Sequence, residues 1–304
     1  MMKISVLFLA LIPLFGLTQS VSPTPEYIKS ITPLWTGVRT PDGRPRLDDK
    51  LLERLKGVSI EEAWGYLRNK GFQNQFEGDW FILRPEQPMV GRVVTAQYAP
   101  LRPDLEKVLK DQGTAEGRVG AMNSWPIDVL KTGDIYLADS YGKIVDGTLI
   151  GDNLGNAIYA KSKNGVVFNG SVRDIAGLEE IEGFNAFIKG HDPSYIQQMM
   201  LTGLNVPIRV GRAFVLPGDL LLAKKSGVVF IPPHLAEDLI INSEFTQLRD
   251  HFGHQRLIEG KYTPGEIDTR WTEVIKKDFL GWLSSQKLPM TRAELDAYMK
   301  DRNW

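Results

Sequence analysis

The chain has 304 residues, of which 42% are hydrophobic and 24% are charged, and this composition is that of an ordinary globular protein with one large domain or one domain with extensions. Its formal net charge is -1 and it has no strongly basic block, which argues against a nucleic-acid partner because a phosphate-binding surface needs an excess of Lys and Arg. The absence of cysteine excludes disulfides, thiolate nucleophiles and Cys-ligated zinc or iron–sulfur sites.

The first 19 residues have the pattern of a secretory signal peptide. Lys3 supplies a positive charge, residues 4–17 form a short apolar run, and polar residues follow from Thr18. The run is shorter than the stretch of about 20 residues that spans a bilayer, and no later segment is long and apolar enough to do so. We therefore predict an exported protein, periplasmic or secreted, that begins near residue 20 and has no membrane span in its mature form. The alternative is a buried N-terminal helix.

Residues 20–58 are predicted to form an N-terminal arm that runs over the surface. The segments SPTPEY and TPDGRPRLDD within this arm combine Pro, Gly and charged residues, which is typical of exposed connections. Residues 48–56 are expected to form a short helix. Ser59 is a candidate N-cap, and the helical spacing of apolar residues after it predicts a second helix.

A strand is predicted near residue 89, and from about residue 125 to 232 the chain alternates between strand and helix patterns. A helix is predicted at residues 154–163, and a loop or helix begins at residues 176–180. Strands are predicted at residues 89–96, 134–139, 165–168, 206–214, 219–223 and 228–231. Short strands joined partly by tight turns and partly by helices indicate an α/β sandwich rather than an all-helical or all-β fold.

Beyond residue 233 the chain becomes helical and amphipathic. Helices are predicted at residues 234–252, 269–286 and 293–300, the last of which opens with a capping-box pattern from Thr291 to Glu294. The aromatic residues of this region are expected to pack on the domain or on a neighbouring subunit rather than to bind a ligand; they are Phe279, Trp282, Tyr298 and Trp304.

The segment Gly151-Asp152-Asn153-Leu154 is the first of two motifs that indicate chemistry. It has the pattern of a turn that leads into a helix, and the backbone N–H groups at a helix N-terminus lack intrahelical acceptors. Such groups bind carboxylates well, so this turn is a candidate anion site. The alternative is a plain turn that opens a helix.

Arg173 and Asp174 form the second motif, and Asp152 precedes them by 20 intervening residues. The pair is expected just past the C-terminal end of a strand, where α/β sheets commonly place their ligands. A cation and a carboxylate beside an anion-binding turn suit a negatively charged substrate and a divalent metal. The alternative is an ordinary surface ion pair, which contributes little to stability.

The spacing Asp152-x20-Arg173-Asp174 resembles the active-site signature of the class II pyruvate aldolases in the RraA-like family, which include 4-hydroxy-4-methyl-2-oxoglutarate aldolase and act on oxaloacetate as decarboxylases. The segments MVGRVVT, TGDIYLAD, PGDLLLA and GVVFIP resemble further family motifs in the same order. The resemblance implies an RraA-like swivelling α/β/β sandwich. It divides the chain into a catalytic domain at residues 59–235 and a C-terminal helical extension at residues 236–304.

The resemblance also implies a role for each site residue. The backbone at residues 151–154 would hold the substrate carboxylate, Arg173 would bind the 2-oxo group, and Asp174 would ligate Mg²⁺ or Mn²⁺. Water would complete the metal shell, as a hard cation prefers. The expected substrate is a small 2-oxo acid of the pyruvate type, cleaved through an enolate that the metal and Arg173 stabilise. Asp152 is expected to orient water or to transfer a proton.

The sequence departs from the family pattern at Lys224 and Lys225, where many members carry acidic residues. These lysines form either a solvated turn or a contact to the substrate of a neighbouring chain. Glu237, Glu244 and Glu266 are candidates for an acidic residue donated across subunits. The four histidines, which are His191, His234, His251 and His254, are interpreted as incidental polar residues rather than a zinc site.

Two other functions remain open. One is a non-catalytic regulator that binds a protein, as the namesake of the family does. The other is an enzyme on the same scaffold that acts on a different oxo acid or sugar acid. The family resemblance further implies a homotrimer or a hexamer.

Overall fold

The computed structural model describes residues 20–302, so the predicted signal peptide at residues 1–19 and the C-terminal Trp304 lie outside the described residues. Within the described range no helix combines the length and the apolar character that a membrane crossing requires.

Three helices precede the sheet, and each begins at a side chain that accepts a backbone N–H. They are α1 (Pro25–Ile31), α2 (Asp49–Leu55) and α3 (Ile60–Asn69). The predicted N-cap Ser59 is confirmed, and Glu62 completes a capping box by accepting the Ser59 N–H at 2.7 Å.

The centre of the protein is a mixed sheet in which β3, β4, β5 and β6 are parallel neighbours and the outer strands run antiparallel. The order is β1-β11-β10-β3-β4-β5-β6-β2, with β7 paired to the end of β3. A separate hairpin is formed by β8 and β9. The strands are β1 (Phe76–Glu77), β2 (Phe81–Ile82), β3 (Met89–Pro100), β4 (Asp134–Asp139), β5 (Val166–Val172), β6 (Ala186–His191), β7 (Met199–Leu204), β8 (Ile208–Val210), β9 (Ala213–Val215), β10 (Leu220–Lys224) and β11 (Gly227–Ile231).

Alternate residues of the central strands face two different layers, as the two-residue period of a strand requires. Val94 and Tyr136 belong to a core shared with the helices, whereas Val93 and Ile135 belong to a core shared with the β8–β9 hairpin. The helices of this region are α4 (Pro103–Ala115), α5 (Trp125–Asp128), α6 (Asp152–Ser162) and α7 (Ile175–Glu179). The predicted α/β sandwich is confirmed.

Several strand boundaries differ from the sequence prediction. Residues 206–214 form two strands rather than one, because the chain turns at Gly211, where φ is +57°. Strands β6 and β7 were not predicted. The pairing of β7 with β3 contains a register shift between Gln97 and Tyr98, a local irregularity that no periodic pattern reveals.

The N-terminal arm is more deeply packed than a surface-running segment. Arg44 is 1% exposed, and its guanidinium lies 3.2 Å from Asp134 at the start of β4. Arg92 of β3 donates to the Leu47 carbonyl oxygen at 2.7 Å. The prediction of a surface arm was wrong at Arg44, because this charged residue is paired inside the protein.

Residues after the sheet form a helical lobe, as predicted. Its helices are α8 (Ala236–Ile258), α9 (Pro264–Ile267), α10 (Glu273–Leu283) and α11 (Arg292–Asp301). Phe245, Phe252 and Phe279 are almost completely buried and form the centre of its core with Trp271. The helix predicted at residues 269–286 is shorter because Thr272 caps it.

Candidate functional site

The two predicted motifs lie side by side. The segment before α6 runs parallel to the end of β5, with an isolated bridge between Thr148 and Ser171. The Arg173 N–H donates to the Ile150 carbonyl oxygen at 2.9 Å and continues this pairing. The pairing places Gly151 beside Arg173 past the C-terminal end of β5, at the sheet edge where the sequence predicted it.

Gly151 is the N-cap of α6, and its carbonyl oxygen accepts the Gly155 N–H at 2.9 Å. Its φ of −117° is open to any residue, so the backbone does not require glycine. A larger residue would instead have to displace the neighbouring side chains. A Cβ built at Gly151 would overlap Asp174 Oδ2 and would lie 3.1 Å from Arg173 Nε. The turn and the charged pair are therefore in direct contact.

The first turn of α6 presents the predicted N–H groups, but one of them already has an acceptor. The Asn153 N–H donates to Asp152 Oδ1 at 2.8 Å. The Asp152 side chain also lies against Gly177 of α7, where an added Cβ would come within 2.7 Å of the Asp152 Cβ. This carboxylate is thus held by its own helix and by α7, and an incoming anion would use the N–H groups of Asp152 and Leu154.

Asp174 has a left-handed backbone, with φ +57° and ψ +45°, which is costly for a residue other than glycine. Its carbonyl oxygen accepts the Leu178 N–H at 3.0 Å, but its side chain does not cap α7. The carboxylate lies instead 3.4 Å from Arg173 Nε. Arg173 and Asp174 are 42% and 44% exposed, so both charges are accessible.

A cavity of about 100 Å³ opens at this place and is large enough for a molecule of only a few heavy atoms. Its walls include all four residues of the turn and Arg173, while Asp174 lies just outside the lining. Six lining residues were not predicted from the sequence because they carry no motif. They are Asn123, Thr148, Leu149, Ile150, Tyr195 and Ile196.

The donor set fits a hard cation that is held mainly by water. Within residues 20–302 no group of three or more His, Asp or Glu side chains is arranged to hold a metal ion. Asp174 therefore contributes a single accessible carboxylate. Magnesium is commonly held in this way, by one or two carboxylates together with water and substrate oxygens.

The residues that depart from the family pattern lie elsewhere in the chain. Lys224 and Lys225 are at the turn between β10 and β11, beside the N-terminal end of β3, whereas Arg173 follows the C-terminal end of β5. Strands β3 and β5 have the same direction in the sheet. The lysines therefore lie near the N-terminal ends of these parallel strands, and Arg173 lies near their C-terminal ends. A contact with the substrate of the same chain is therefore excluded.

Two of the three candidate cross-subunit acids are engaged within their own chain. Glu244 is 6% exposed and receives two hydrogen bonds from Arg54, at 2.9 and 2.6 Å. Glu266 closes a capping box with Thr263. Glu237 is in the first turn of α8, and no ion pair of its side chain occurs among the described residues.

Comparison with known proteins gives a consistent result. A family model described as RraA-like, Aldolase/RraA, matches residues 59–230. Streptomyces coelicolor RraAS2, described as an unusual member of the RNase ES inhibitor RraA protein family, superposes with a TM-score of 0.60 at 24% identity, over 69% of this chain and 100% of that one. An uncharacterized protein from Pseudomonas syringae pv. tomato superposes with a TM-score of 0.61 at 19% identity, over 76% and 99%. At these identities the likeness is one of fold.

Proposed function

This chain belongs to the RraA-like family, and we propose that it is a divalent-metal-dependent lyase that cleaves a 4-hydroxy-2-oxo acid, or decarboxylates oxaloacetate, through a pyruvate enolate. The family includes aldolases and decarboxylases as well as non-catalytic ribonuclease inhibitors. The observation that carries the proposal is the contact between Gly151 and the Arg173–Asp174 pair. It brings a helix N-terminus, a guanidinium and an accessible carboxylate together.

Each residue has a distinct role in the proposed reaction. The substrate carboxylate would accept hydrogen bonds from the N–H groups of Asp152 and Leu154 at the positive end of α6. Arg173 would donate to the 2-oxo group and stabilise the negative charge that develops on this oxygen as the C–C bond breaks. Because Asp152 already accepts the Asn153 N–H, its second oxygen would orient water rather than bind the substrate.

Asp174 is proposed to hold the cation. When bound, Mg²⁺ or Mn²⁺ would supply positive charge next to the enolate. The pairing of Asp174 with Arg173 at 3.4 Å would keep the guanidinium directed at the same side of the cavity.

Export and assembly are part of the same proposal. The signal-like sequence at residues 1–19 supports export, and we propose a periplasmic or secreted enzyme. The small cavity and the half-exposed charged pair support a homotrimer or hexamer in which a neighbouring subunit covers the site. N-terminal sequencing of the protein secreted from cells would test the first point. A monomeric mass in light scattering would contradict the second.

The decisive experiment measures pyruvate release from oxaloacetate and from 4-hydroxy-2-oxo acids, with Mg²⁺ or Mn²⁺ and then with a chelator. We expect turnover with the metal, and a loss of at least about 100-fold in the Arg173→Ala and Asp174→Asn variants. Arg102 and Asp104 form an exposed ion pair between residues that are close in sequence, and the variants Arg102→Ala and Asp104→Asn provide matched controls. Turnover that survives in either site variant would reject the assignment.

The alternative is a regulator that binds another protein, and the exposure of Arg173 and Asp174 is compatible with a macromolecular contact. The same experiment distinguishes the two. A chain that releases no pyruvate from any 2-oxo acid, with either metal, would favour the regulator.

A further inference from the structure

The C-terminal lobe contains a cavity of about 620 Å³ between α8 and the segment that includes α9 and Trp271. This volume is within the range of about 300–1,000 Å³ that is usual for small-molecule sites. The lining residues lie between residues 246 and 271, outside the region that matches the family. The cavity is therefore separate from the site at Arg173.

Arg249 lines this cavity. Among the described residues its guanidinium makes neither a hydrogen bond nor an ion pair, and its Nε is buried without an acceptor. By contrast, Arg54, Arg256 and Arg302, which also contact this lobe, each pair with a carboxylate. Burial lowers the pKa of the Arg249 guanidinium, and the charge of the adjacent Asp250 offsets this effect only in part.

The side chains around Arg249 indicate the shape and the charge of a ligand that would fit the cavity. Its guanidinium stacks over Trp271 at 4.3 Å from the ring centroid, and this contact fixes the plane of the fork that the guanidinium N–H donors form. Leu257 and Ile267 add apolar surface to the walls. Asp250 and Asp268 also line the cavity and would repel a ligand with more than one negative charge.

We propose that this cavity binds a small organic monocarboxylate with an apolar body, whose carboxylate pairs with Arg249 and whose body packs on Trp271. The two oxygens of a carboxylate match the planar set of N–H donors of the Arg249 guanidinium. Phosphate carries more charge than the site can balance, and an amine would leave Arg249 without a partner.

The test is isothermal titration of the full-length protein with 3-phenylpropionate, which has one carboxylate and one aromatic ring. We expect saturable binding, and an increase in Kd of about tenfold or more in Arg249→Gln, as for the loss of a charge-assisted hydrogen bond. Arg249→Lys keeps the positive charge but loses the planar guanidinium. The Kd of this variant should lie between those of the wild type and of Arg249→Gln. Arg270→Gln is the matched control, because Arg270 is an exposed arginine of the same lobe outside the lining.

Phenethylamine and inorganic phosphate serve as probes of ligand class, and neither should compete with 3-phenylpropionate. Competition by phosphate at similar concentration would overturn the carboxylate assignment. The absence of binding by wild-type protein, or binding that Arg249→Gln leaves unchanged while its circular dichroism is native, would overturn the site. If Arg249→Gln fails to fold, the comparison of Arg249→Lys with wild type decides, and an unchanged Kd would refute the role of the fork.

Discussion

Replacing Gly151 with alanine separates the proposed chemistry from the stability of the fold. The backbone at this position, with φ −117°, accepts alanine without strain. The added methyl group would overlap Asp174 Oδ2 and lie 3.1 Å from Arg173 Nε. Both side chains are half exposed, so they can move away from the methyl group, and their movement removes the geometry on which catalysis would depend.

The two consequences of Gly151→Ala differ strongly in size. The ion pair between Arg173 and Asp174 is exposed, and such pairs contribute about 0–1 kcal/mol. Alanine is a poorer N-cap than glycine, which adds a cost of about 0.5–1 kcal/mol. The free energy of unfolding should therefore fall by only about 1–2 kcal/mol. A displacement of the catalytic groups by about 1 Å can reduce the rate about 100-fold.

The assay combines urea unfolding with kcat/KM for metal-dependent pyruvate release. Gly65→Ala is the matched control, because Gly65 lies within α3 and a Cβ built there meets no atom within 4 Å. We expect Gly65→Ala to keep full activity and to be neutral or slightly more stable, since alanine favours helices. If Gly151→Ala folds and retains the kcat/KM of the wild type, the contact has no catalytic importance and our reasoning fails.

Two further predictions concern buried charges. Arg44→Ala should lower the free energy of unfolding by about 1–3 kcal/mol in urea, because it removes the nearer of the two guanidinium groups beside Asp134, which is 1% exposed and keeps Arg92 at 3.6 Å; a loss below 1 kcal/mol would contradict this. Burial raises the pKa of Asp219 to about 7, so the folded state binds a proton that the unfolded state loses near pH 4. Stability should thus decrease as pH rises from about 4 to about 7, and a slope that Asp219→Asn leaves unchanged would exclude Asp219 as its source.

The sequence predicted the parts of the fold that local patterns encode. The bounds of β4 were predicted correctly because a Thr-Gly turn precedes a run of six residues, and the side chains of this run alternate between two buried faces of the sheet. The caps at Ser59 and Thr291 were correct because capping depends on residues three positions apart. Strand β7 was not predicted, and its pairing with β3 contains a register shift at Gln97 that lies outside any local pattern.

The same distinction applies to the candidate site. The proximity of Gly151 to Arg173 and Asp174 followed from motif spacing and from the rule that parallel strands end at one edge. The left-handed backbone of Asp174 could not be predicted, because it results from the pairing of Arg173 with Ile150 and from the start of α7. The position of Tyr195 in the wall of the cavity could not be predicted either, since its loop has no motif and lies beside the cavity only in the folded protein.

The arm and the C-terminal lobe, which the sequence presents as separate additions, are joined into one structural unit by Arg54. This residue of α2 donates to Glu244 of α8 and to Glu294 of α11, and both carboxylates raise its pKa. Beneath this contact, Leu55 of the arm and Leu239 of α8 share a core with the sheet. Removal of either addition would therefore uncover the same apolar face. This explains why a charged, Pro-rich arm folds against the domain. Leu47, Leu52 and Leu55 are buried in the core that the sheet and the lobe share, and Arg54 finds its carboxylate partners in the lobe.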